Sequence, residues 1–306
     1  MAGGKTWTDE EIKILTECYE QYLPLSEITN RLPNRARSSI CAKAQKLGLT
    51  NRYIRTNSVN YIAEYQDYDW CFERFITRGM TTDEISKESG YSKRTIEKWI
   101  YEKNKLDFQK DFKLNDQQKM LIVAGCLGDG HIMKQHPVYI ESHAENQKDY
   151  LFWKFGLLKN MCNMKQPSYY PECVKYIDDK PYNCKPHYRF STRKVDCLLE
   201  IRDMSRYNKI DYIDEFGFAT HFLDDGHYSG INWEVCLAEW SEEEKRLYIN
   251  KLSKLFGVKS HISKNNIYLL LDKPSSDTMN KIILNNIPND LDIVQYKIIE
   301  KRKING

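Results

Sequence analysis

The chain has 306 residues, of which 41% are hydrophobic and 29% charged, and its formal net charge is +3. Length and composition are typical of a protein with two or three folded domains. No run of about 18 apolar residues is present, which excludes a membrane-spanning helix, and the N-terminus MAGGKTWTDEE lacks the apolar core of a secretory signal. We therefore expect a cytoplasmic protein without a membrane partner.

The nine cysteines include no Cys-X-X-Cys pair. A group formed by Cys162, Cys173, Cys184 and His187 lacks the short ligand pairs that are typical of structural zinc sites. We expect reduced thiols and no zinc.

Residues 1–50 have the pattern of three short helices. Thr8 is placed to cap the first, residues 25–32 form the second before Pro33, and the third starts near Ser38 and ends before Gly48. The stretch from WTDEE to KAQKLGL resembles Myb/SANT-like DNA-binding modules, which implies that the third helix enters the major groove.

The same region carries a basic run, because no acidic residue occurs from Arg31 to Arg55. Phosphate groups are the expected partners of such a run in this context. The predicted DNA-binding residues are Arg35, Arg37, Lys43 and Lys46. The alternative is a small helical bundle with a basic surface.

Residues 51–67 are polar and are predicted to be a linker. Residues 68–106 include TTDEISKESGYSKRTIEKWI, which fits a helix, a turn at Gly90 and a second helix capped by Ser92. The pattern resembles a helix-turn-helix module, which implies DNA contacts by Lys93, Arg94 and Lys98. The alternative is a helical connector that packs on the following domain.

Residues 107–306 predict an α+β region in which the order αββαββα occurs twice, in halves 107–210 and 211–306. In the first half we expect helices at 115–128, 147–161 and 195–204, with strands at 131–133, 138–142, 168–176 and 187–192. In the second half we expect helices at 212–224, 241–256 and 275–286, with strands at 233–238 and a hairpin at 259–272.

Each half opens with a helix that ends in an acid followed by glycine. The two segments are IVAGCLGDG, residues 122–130, and FATHFLDDG, residues 218–226. Small residues predict that the two helices pack closely, namely Ala124, Gly125 and Gly128 in the first and Gly217, Ala219 and Thr220 in the second. Asp129 and Asp225 lie at the negative end of each helix dipole, an unfavourable place that bound divalent cations would offset.

The paired segments resemble the motifs of the LAGLIDADG family, and the resemblance extends over about residues 114–300. It implies two pseudo-symmetric halves that form a saddle on double-stranded DNA. It also implies a monomeric, site-specific homing endonuclease that breaks both strands at a long recognition site and leaves 3′ overhangs. A bacterial or phage-infected cell is the expected setting.

The resemblance also implies the site residues. Two or three Mg²⁺ or Mn²⁺ ions would be held at Asp129 and Asp225, with Gly128 and Asp224 beside them. Lys297 in VQYKI and Lys209 in RYNKI would assist the transition state. The predicted DNA contacts of the saddle are Arg189, Arg193, Lys259 and Lys264, together with Glu141, His143, Ser191, His227, Tyr228 and His261.

Two other functions remain open. Some bacterial transcription regulators join a LAGLIDADG-like domain to a helix-turn-helix but have lost the metal-binding acids, whereas both acids are present here. Some family members are RNA maturases that assist intron splicing, but the N-terminal DNA-binding patterns favour duplex DNA.

Overall fold

The computed structural model describes residues 6–49, apart from residues 22 and 24, and residues 63–299, apart from residues 178 and 179. The chain divides into two compact units, Met1–Glu64 and Tyr65–Gly306. Most of the predicted linker, residues 51–62, lies outside the described residues. No helix in the described part of the chain is both long and apolar enough to cross a membrane.

The first unit contains the three predicted helices, α1 (Asp9–Glu20), α2 (Leu25–Arg31) and α3 (Arg37–Lys46). Thr8 and Glu11 form a capping box at the start of α1, and Gly48 adopts a left-handed φ of 66° after α3. The helices share one small core, which consists of Leu15, Cys18, Ile28, Leu32, Ile40 and Ala44.

The second unit begins with the residues that were predicted to form a helix-turn-helix. Helix α4 (Tyr68–Phe72) continues as a wider turn to Thr77, and it is followed by α5 (Thr82–Ser89) and α6 (Lys93–Glu97), which continues to Lys103. Gly90 ends α5 with a φ of 74°, and the Ser92 hydroxyl accepts a hydrogen bond from the Thr95 amide at the start of α6. The helix, turn and cap expected from the sequence are therefore present.

This helical region does not form a separate body. Its buried residues, among them Ile76, Ile85 and Ile96, belong to the same core as the residues after 106. Asn160 donates from Nδ2 to the carbonyl oxygen of Thr77, and Gly79 fits so closely against the Asn160 carbonyl that a Cβ would overlap it. The expected boundary at residue 106 therefore falls inside a continuous core.

The rest of the second unit consists of two halves with matching order. The first half contains α7 (Phe108–Asp111), α8 (Asp116–Gly125), β1 (Gly130–Ile132), β2 (Tyr139–Ala144), α9 (Lys148–Leu157), β3 (Ser168–Tyr170), β4 (Cys173–Ile177), β5 (Lys180–Cys184), β6 (His187–Ser191), α10 (Leu198–Asp203) and α11 (Arg206–Tyr212). The second contains α12 (Glu215–Asp225), β7 (Gly226–Tyr228), β8 (Trp233–Cys236), α13 (Glu242–Phe256), β9 (Ser260–Ile262), β10 (Tyr268–Leu271), α14 (Lys273–Asn286) and α15 (Asp292–Val294), which continues to Ile299.

The two main sheets have equivalent topology, with strand orders β1-β2-β6-β3 and β7-β8-β10-β9. Gly130 pairs with Glu141 in the first sheet, and Gly226 pairs with Val235 in the second. Glu141 and Val235 therefore occupy equivalent places. The predicted repeat is confirmed, with additions. Strands β4 and β5 form an inserted hairpin, of which the sequence pattern showed only the first strand, and neither the short strand β7 nor helix α11 was predicted.

The two motif helices, α8 and α12, approach each other closely at two of the predicted small residues, Gly128 and Gly217. A Cβ on Gly128 would lie 2.7 Å from the Cβ of Asp224, and one on Gly217 would lie 3.0 Å from the sulfur of Met120. A Cβ on Gly125 would instead overlap the phenol oxygen of Tyr139. The prediction that Gly125 lies between the two helices is therefore wrong, because its face of α8 is turned toward the sheet.

Candidate active site

The two motif carboxylates, Asp129 and Asp225, lie at the junction between each motif helix and the strand that follows it. Helix α8 ends at Gly125 and a short turn carries Asp129 to the start of β1, whereas α12 runs to Asp225 itself and β7 follows directly. Their side chains are 37% and 31% exposed. The site thus offers two accessible carboxylates at adjoining helix ends.

A buried histidine faces each carboxylate. His143 Nδ1, on β2, lies 3.4 Å from Asp129 Oδ2, and His221 Nε2, on α12, lies 3.5 Å from Asp225 Oδ2. The histidines come from elements that are not equivalent in the two halves, so the surroundings of the two acids are chemically different.

The ring of His143 has oxygen partners on both nitrogens. Nε2 lies 2.9 Å from Glu141 Oε1, and Nδ1 lies 2.9 Å from Gln147 Oε1. Burial and the nearby Lys154 ammonium act to lower the pKa of His143, but the hydrogen bond and charge of Glu141 outweigh them and raise the pKa overall. An imidazolium that donates from both nitrogens satisfies these contacts.

The ring of His221 has a different environment. Nδ1 lies 2.8 Å from the Tyr248 hydroxyl, and burial raises the pKa of Tyr248 well above its ordinary value, so the phenol stays protonated. Nε2 of His221 is buried and has no hydrogen-bond partner among the described residues. If the phenol donates to Nδ1, the ring proton is on Nε2 and points toward Asp225.

Beneath Asp129 lies a buried charged network that joins the two halves. Lys154 Nζ donates to Asp224 Oδ1 at 2.7 Å and also to Glu141 Oε1. The hydroxyl of Tyr150 donates to Asp224 Oδ1 at 3.0 Å, and that of Tyr139 donates to Glu141 Oε2 at 2.7 Å. The side chains of the three charged residues are fully buried.

Burial corrects three of the DNA contacts expected from the sequence, those of Glu141, His143 and Tyr228. Glu141 and His143, predicted to contact DNA, are buried because they point toward the helices, and Tyr228 is buried in the same way in the second half. Asp224, predicted to lie beside the metal, has its carboxylate engaged by Lys154 and Tyr150. Lys154 itself carried no signal in the sequence beyond that of an ordinary helix lysine.

Asp129 lies in an electrostatically unfavourable place. Desolvation by the surrounding protein atoms, followed by the carboxylate charge of Asp224, raises the pKa of Asp129 to about 6, with a smaller contribution from Asp225. A divalent cation would relieve this excess of negative charge.

The donor set fits a hard divalent cation at the accessible carboxylates. One ligand atom each from Asp129, His143 and Asp224 lies within 4.8 Å of the other two, but His143 and Asp224 are already engaged by hydrogen bonds. Asp129 and Asp225 remain, and carboxylate oxygens are ligands that Mg²⁺ and Mn²⁺ accept. These two acids could hold a metal.

The two predicted lysines differ in their surroundings. Lys297 is buried, and its Nζ donates to the carbonyl oxygens of Leu223 at 2.6 Å and Gly226 at 2.7 Å, on either side of Asp225. Lys209 is half-buried, its Nζ donates to the carbonyl oxygen of Met204, and burial lowers its pKa. The structure therefore brings Lys297 to the end of the second motif helix.

An open cleft of about 370 Å³ lies between the ends of the two motif helices. Gly128 and Asp225 lie along it, together with Arg206 and Trp240. The Arg206 guanidinium donates to the Glu239 carbonyl oxygen at 2.8 Å. Asp225 is therefore open to the surface through this cleft.

The predicted DNA-binding arginines of the first half fall in different places. Arg189 pairs with Ser142 and Ser168 across the sheet, and its neighbour Phe190 points into the core, so Arg189 lies on the outer face. Arg193, in contrast, donates to the carbonyl oxygens of Gly79 and Asn160, and burial lowers its pKa to about 10. The prediction that Arg193 contacts DNA is wrong, because its guanidinium holds the helical region on the first half.

The prediction that Arg35 contacts DNA is also wrong. Its guanidinium is buried, forms two hydrogen bonds with the Glu11 carboxylate at 2.8 Å and 2.6 Å, and lies 4.6 Å from the ring centre of Trp7. Arg35 therefore stabilises the first unit rather than facing a phosphate.

The other predicted DNA-binding residues are accessible. Lys43 is half-buried, and Lys93 is exposed but lies 2.9 Å from Asp83. The remainder are exposed, namely Arg37, Lys46, Arg94, Lys98, Lys259 and Lys264. These side chains keep a cationic group at the surface.

Comparison with known proteins identifies a family. Residues 120–279, more than half of the chain, match the model of the LAGLIDADG DNA endonuclease family. An uncharacterized protein of Listeria innocua, Lin2408, is 40% identical over 65 residues, which are 21% of this chain and 83% of that protein.

One solved structure is similar in fold, and two others match with lower TM-scores. The homing endonuclease I-WcaI bound to its DNA recognition sequence has a TM-score of 0.50 and 18% identity, over 61% of this chain and 87% of that one. The TM-score is 0.36 for I-DmoI in complex with DNA and Mn, at 12% identity over 55% of this chain and 96% of that chain. The TM-score is 0.35 for full-length DUF199/WhiA from Thermatoga maritima, at 14% identity over 62% of this chain and 63% of that chain. Through the family match and its paired motif helices, this chain belongs to the LAGLIDADG DNA endonuclease family.

Proposed function

We propose that the chain is a site-specific homing endonuclease that hydrolyses both strands of double-stranded DNA with Mg²⁺ or Mn²⁺ and leaves 3′ overhangs. The observation that supports this most directly is the pair of accessible carboxylates, Asp129 and Asp225, at the adjoining ends of two closely packed motif helices. A protein that only binds DNA has no need of an acid at both helix ends.

The residues around the pair have separate roles in this proposal. Asp129 and Asp225 hold the divalent ions, which, when bound, stabilise charge on the attacking and leaving oxygens of the phosphodiester. Lys297, bonded to carbonyl oxygens on either side of Asp225, fixes the end of α12 and places a positive charge next to it. Lys209 is proposed to assist the transition state in the first half, and its Nζ is held by the carbonyl oxygen of Met204.

DNA binding is assigned to the outer faces of the two sheets and to the N-terminal helices. Arg189, Lys259 and Lys264 present cationic groups on the saddle, and Arg94 and Lys98 do so in the helix-turn-helix. Arg37, Lys43 and Lys46 present cationic groups on α3, as expected for a Myb/SANT-like module. Because one chain carries both carboxylates, we propose that it acts as a monomer on a long site.

The test is cleavage of plasmid libraries with and without Mg²⁺. The plasmids carry the genomic sequences from the two sides of the coding region, joined to each other. We expect linear product only with the metal, and sequenced ends with 3′ overhangs. Tight, specific binding without cleavage in Mg²⁺ or Mn²⁺ would identify a regulator instead. Stimulated splicing of a host intron RNA, without DNA cleavage, would identify a maturase.

A further inference from the structure

Asp224 occupies a place where a carboxylate is unfavourable. It lies in the contact between the two motif helices, opposite Gly128, and its side chain is fully buried. A buried carboxylate requires a counter-charge and hydrogen bonds to be tolerated. It also directly precedes Asp225, so its oxygens lie close to the proposed metal-binding pair.

The counter-charge comes from the opposite half. Lys154, on α9, reaches Asp224 with Nζ at 2.7 Å from Oδ1 and 3.0 Å from Oδ2, and it also contacts Glu141. The place equivalent to Glu141 in the second half is taken by the buried, apolar Val235. The ionic network is therefore a property of the first half and not a requirement of the repeated fold.

Without that lysine, the first half would offer a different set of metal ligands. Oxygens of Asp129 and Asp224 lie within 4.8 Å of one another and of a ring nitrogen of His143. Two carboxylates at this distance form a site for a divalent cation that does not include Asp225. An ion bound there would be displaced from the pair that the two motif helices present.

We propose that Lys154 is a positioning residue that holds Asp224 in the helix contact, withholds its carboxylate from the metal and so makes Asp129 and Asp225 the metal-binding pair. The inference rests on the proposed function, because it assumes a divalent metal at these acids. It concerns metal affinity, which is measurable without DNA cleavage.

The first test compares Mn²⁺ affinity of the full-length protein and two variants by titration calorimetry. Asp225→Asn should lower the affinity by about tenfold or more, whereas Asp224→Asn should leave it within about twofold of the original. An equal loss in Asp224→Asn would show that Asp224 is a ligand and would overturn the inference. If the unsubstituted protein neither binds Mn²⁺ nor cleaves DNA, the proposed function fails by itself.

The second test releases Asp224. Lys154→Met should raise Mn²⁺ affinity by about fivefold or more while DNA cleavage falls by about 100-fold, because the ion moves away from Asp225. Adding Asp224→Asn to Lys154→Met should return Mn²⁺ affinity to the original value. Thermal unfolding and a DNA gel shift check that the Lys154→Met protein is folded. Unchanged Mn²⁺ affinity in folded Lys154→Met protein would overturn the inference.

The matched control is Lys245→Met. Lys245 is also buried, but its Nζ donates to the carbonyl oxygen of Asn266 and lies 3.4 Å from Glu242 Oε1, so both of its partners belong to the second half. This variant should change thermal stability without changing Mn²⁺ affinity. A shift in Mn²⁺ affinity as large as that of Lys154→Met would mean that the effect is a general consequence of removing a buried lysine, and would also overturn the inference.

Discussion

Lys154 Nζ lies 2.7 Å from Asp224 Oδ1, and this buried ion pair joins the first half of the second unit to the motif helix of the second half. Both side chains are removed from water, so the pair must be held by further hydrogen bonds to be tolerated. Tyr150 supplies one to Asp224, and Glu141 shares the ammonium. The relative placement of the two motif carboxylates therefore depends on a polar contact that crosses between the halves.

Breaking this pair should cost much more stability than removing an ordinary lysine. Lys154→Met leaves Asp224 and Glu141 buried together without the ammonium, and we expect the free energy of unfolding to fall by about 3–5 kcal/mol. In the double variant with Asp224→Asn, Glu141 keeps His143 as its counter-charge, and we expect most of the loss to be recovered. Urea unfolding curves measure both, and a Lys154→Met variant as stable as the double variant would contradict the argument.

The two motif carboxylates should be required for cleavage but not for DNA binding. Asp129→Asn and Asp225→Asn each remove a negative oxygen while keeping the side-chain shape, and the sheets are not touched. We expect both variants to lose double-strand cleavage by about 100-fold or more and to bind DNA as before in gel shifts without metal. Cleavage at the full rate by either variant would show that the metal site is elsewhere.

Sequence patterns identified residues that lie within one short segment and missed those that meet only in the folded protein. Asp129 and Asp225 were predicted because each ends a helix within its own nine-residue segment, and the repeat of helices and strands follows from periodicity. The network of Glu141, Lys154 and Asp224 was missed, since its members meet only when the two halves pack. Strand β7, Gly226–Tyr228, was missed because three residues are too short to show alternation.

Arg189 and Arg193 provide a matched pair that separates DNA binding from folding. Arg189 lies on the outer face of the sheet, so Arg189→Ala should weaken DNA binding and reduce the slope of log affinity against log salt by about 0.9 for each lost phosphate contact. Arg193 donates to two carbonyl oxygens, so Arg193→Ala should lower the free energy of unfolding by about 1–3 kcal/mol and leave that slope unchanged. The opposite pattern would mean that the two arginines have been assigned the wrong roles.

The ion pair between Glu11 and Arg35 predicts an acid-sensitive first unit. Hydrogen bonds from Arg35 and from the Thr8 amide lower the pKa of Glu11 from 4.5 to about 2. Because the folded pKa is the lower one, the stabilisation is complete above pH 4.5 and is lost as the pH falls toward 2.

A fluorotryptophan label provides the measurement, since the ¹⁹F resonance of Trp7 reports on the first unit separately from the other five tryptophans. In urea at pH 7, the first unit of Glu11→Gln should unfold more easily than that of the original protein, and the difference should vanish near pH 2. A difference that persists at pH 2 would assign the effect to packing and not to charge.

The last prediction concerns which N-terminal segments can be removed. The compact unit that contains the motif helices begins at Tyr65, and Ile76, Ile85 and Ile100 lie in its core. A protein that starts at residue 63 keeps this core and should cleave its site with the metal, but with weaker binding and a shallower salt dependence, because the basic residues of α3 are gone. A protein that starts at Asp107 uncovers the apolar surface beneath those isoleucines and loses the contacts of Arg193 with Gly79, so it should aggregate or unfold at a lower temperature. Thermal unfolding and cleavage assays on the two truncated proteins measure this, and full stability and activity of the shorter one would show that residues 68–106 are a separate module after all.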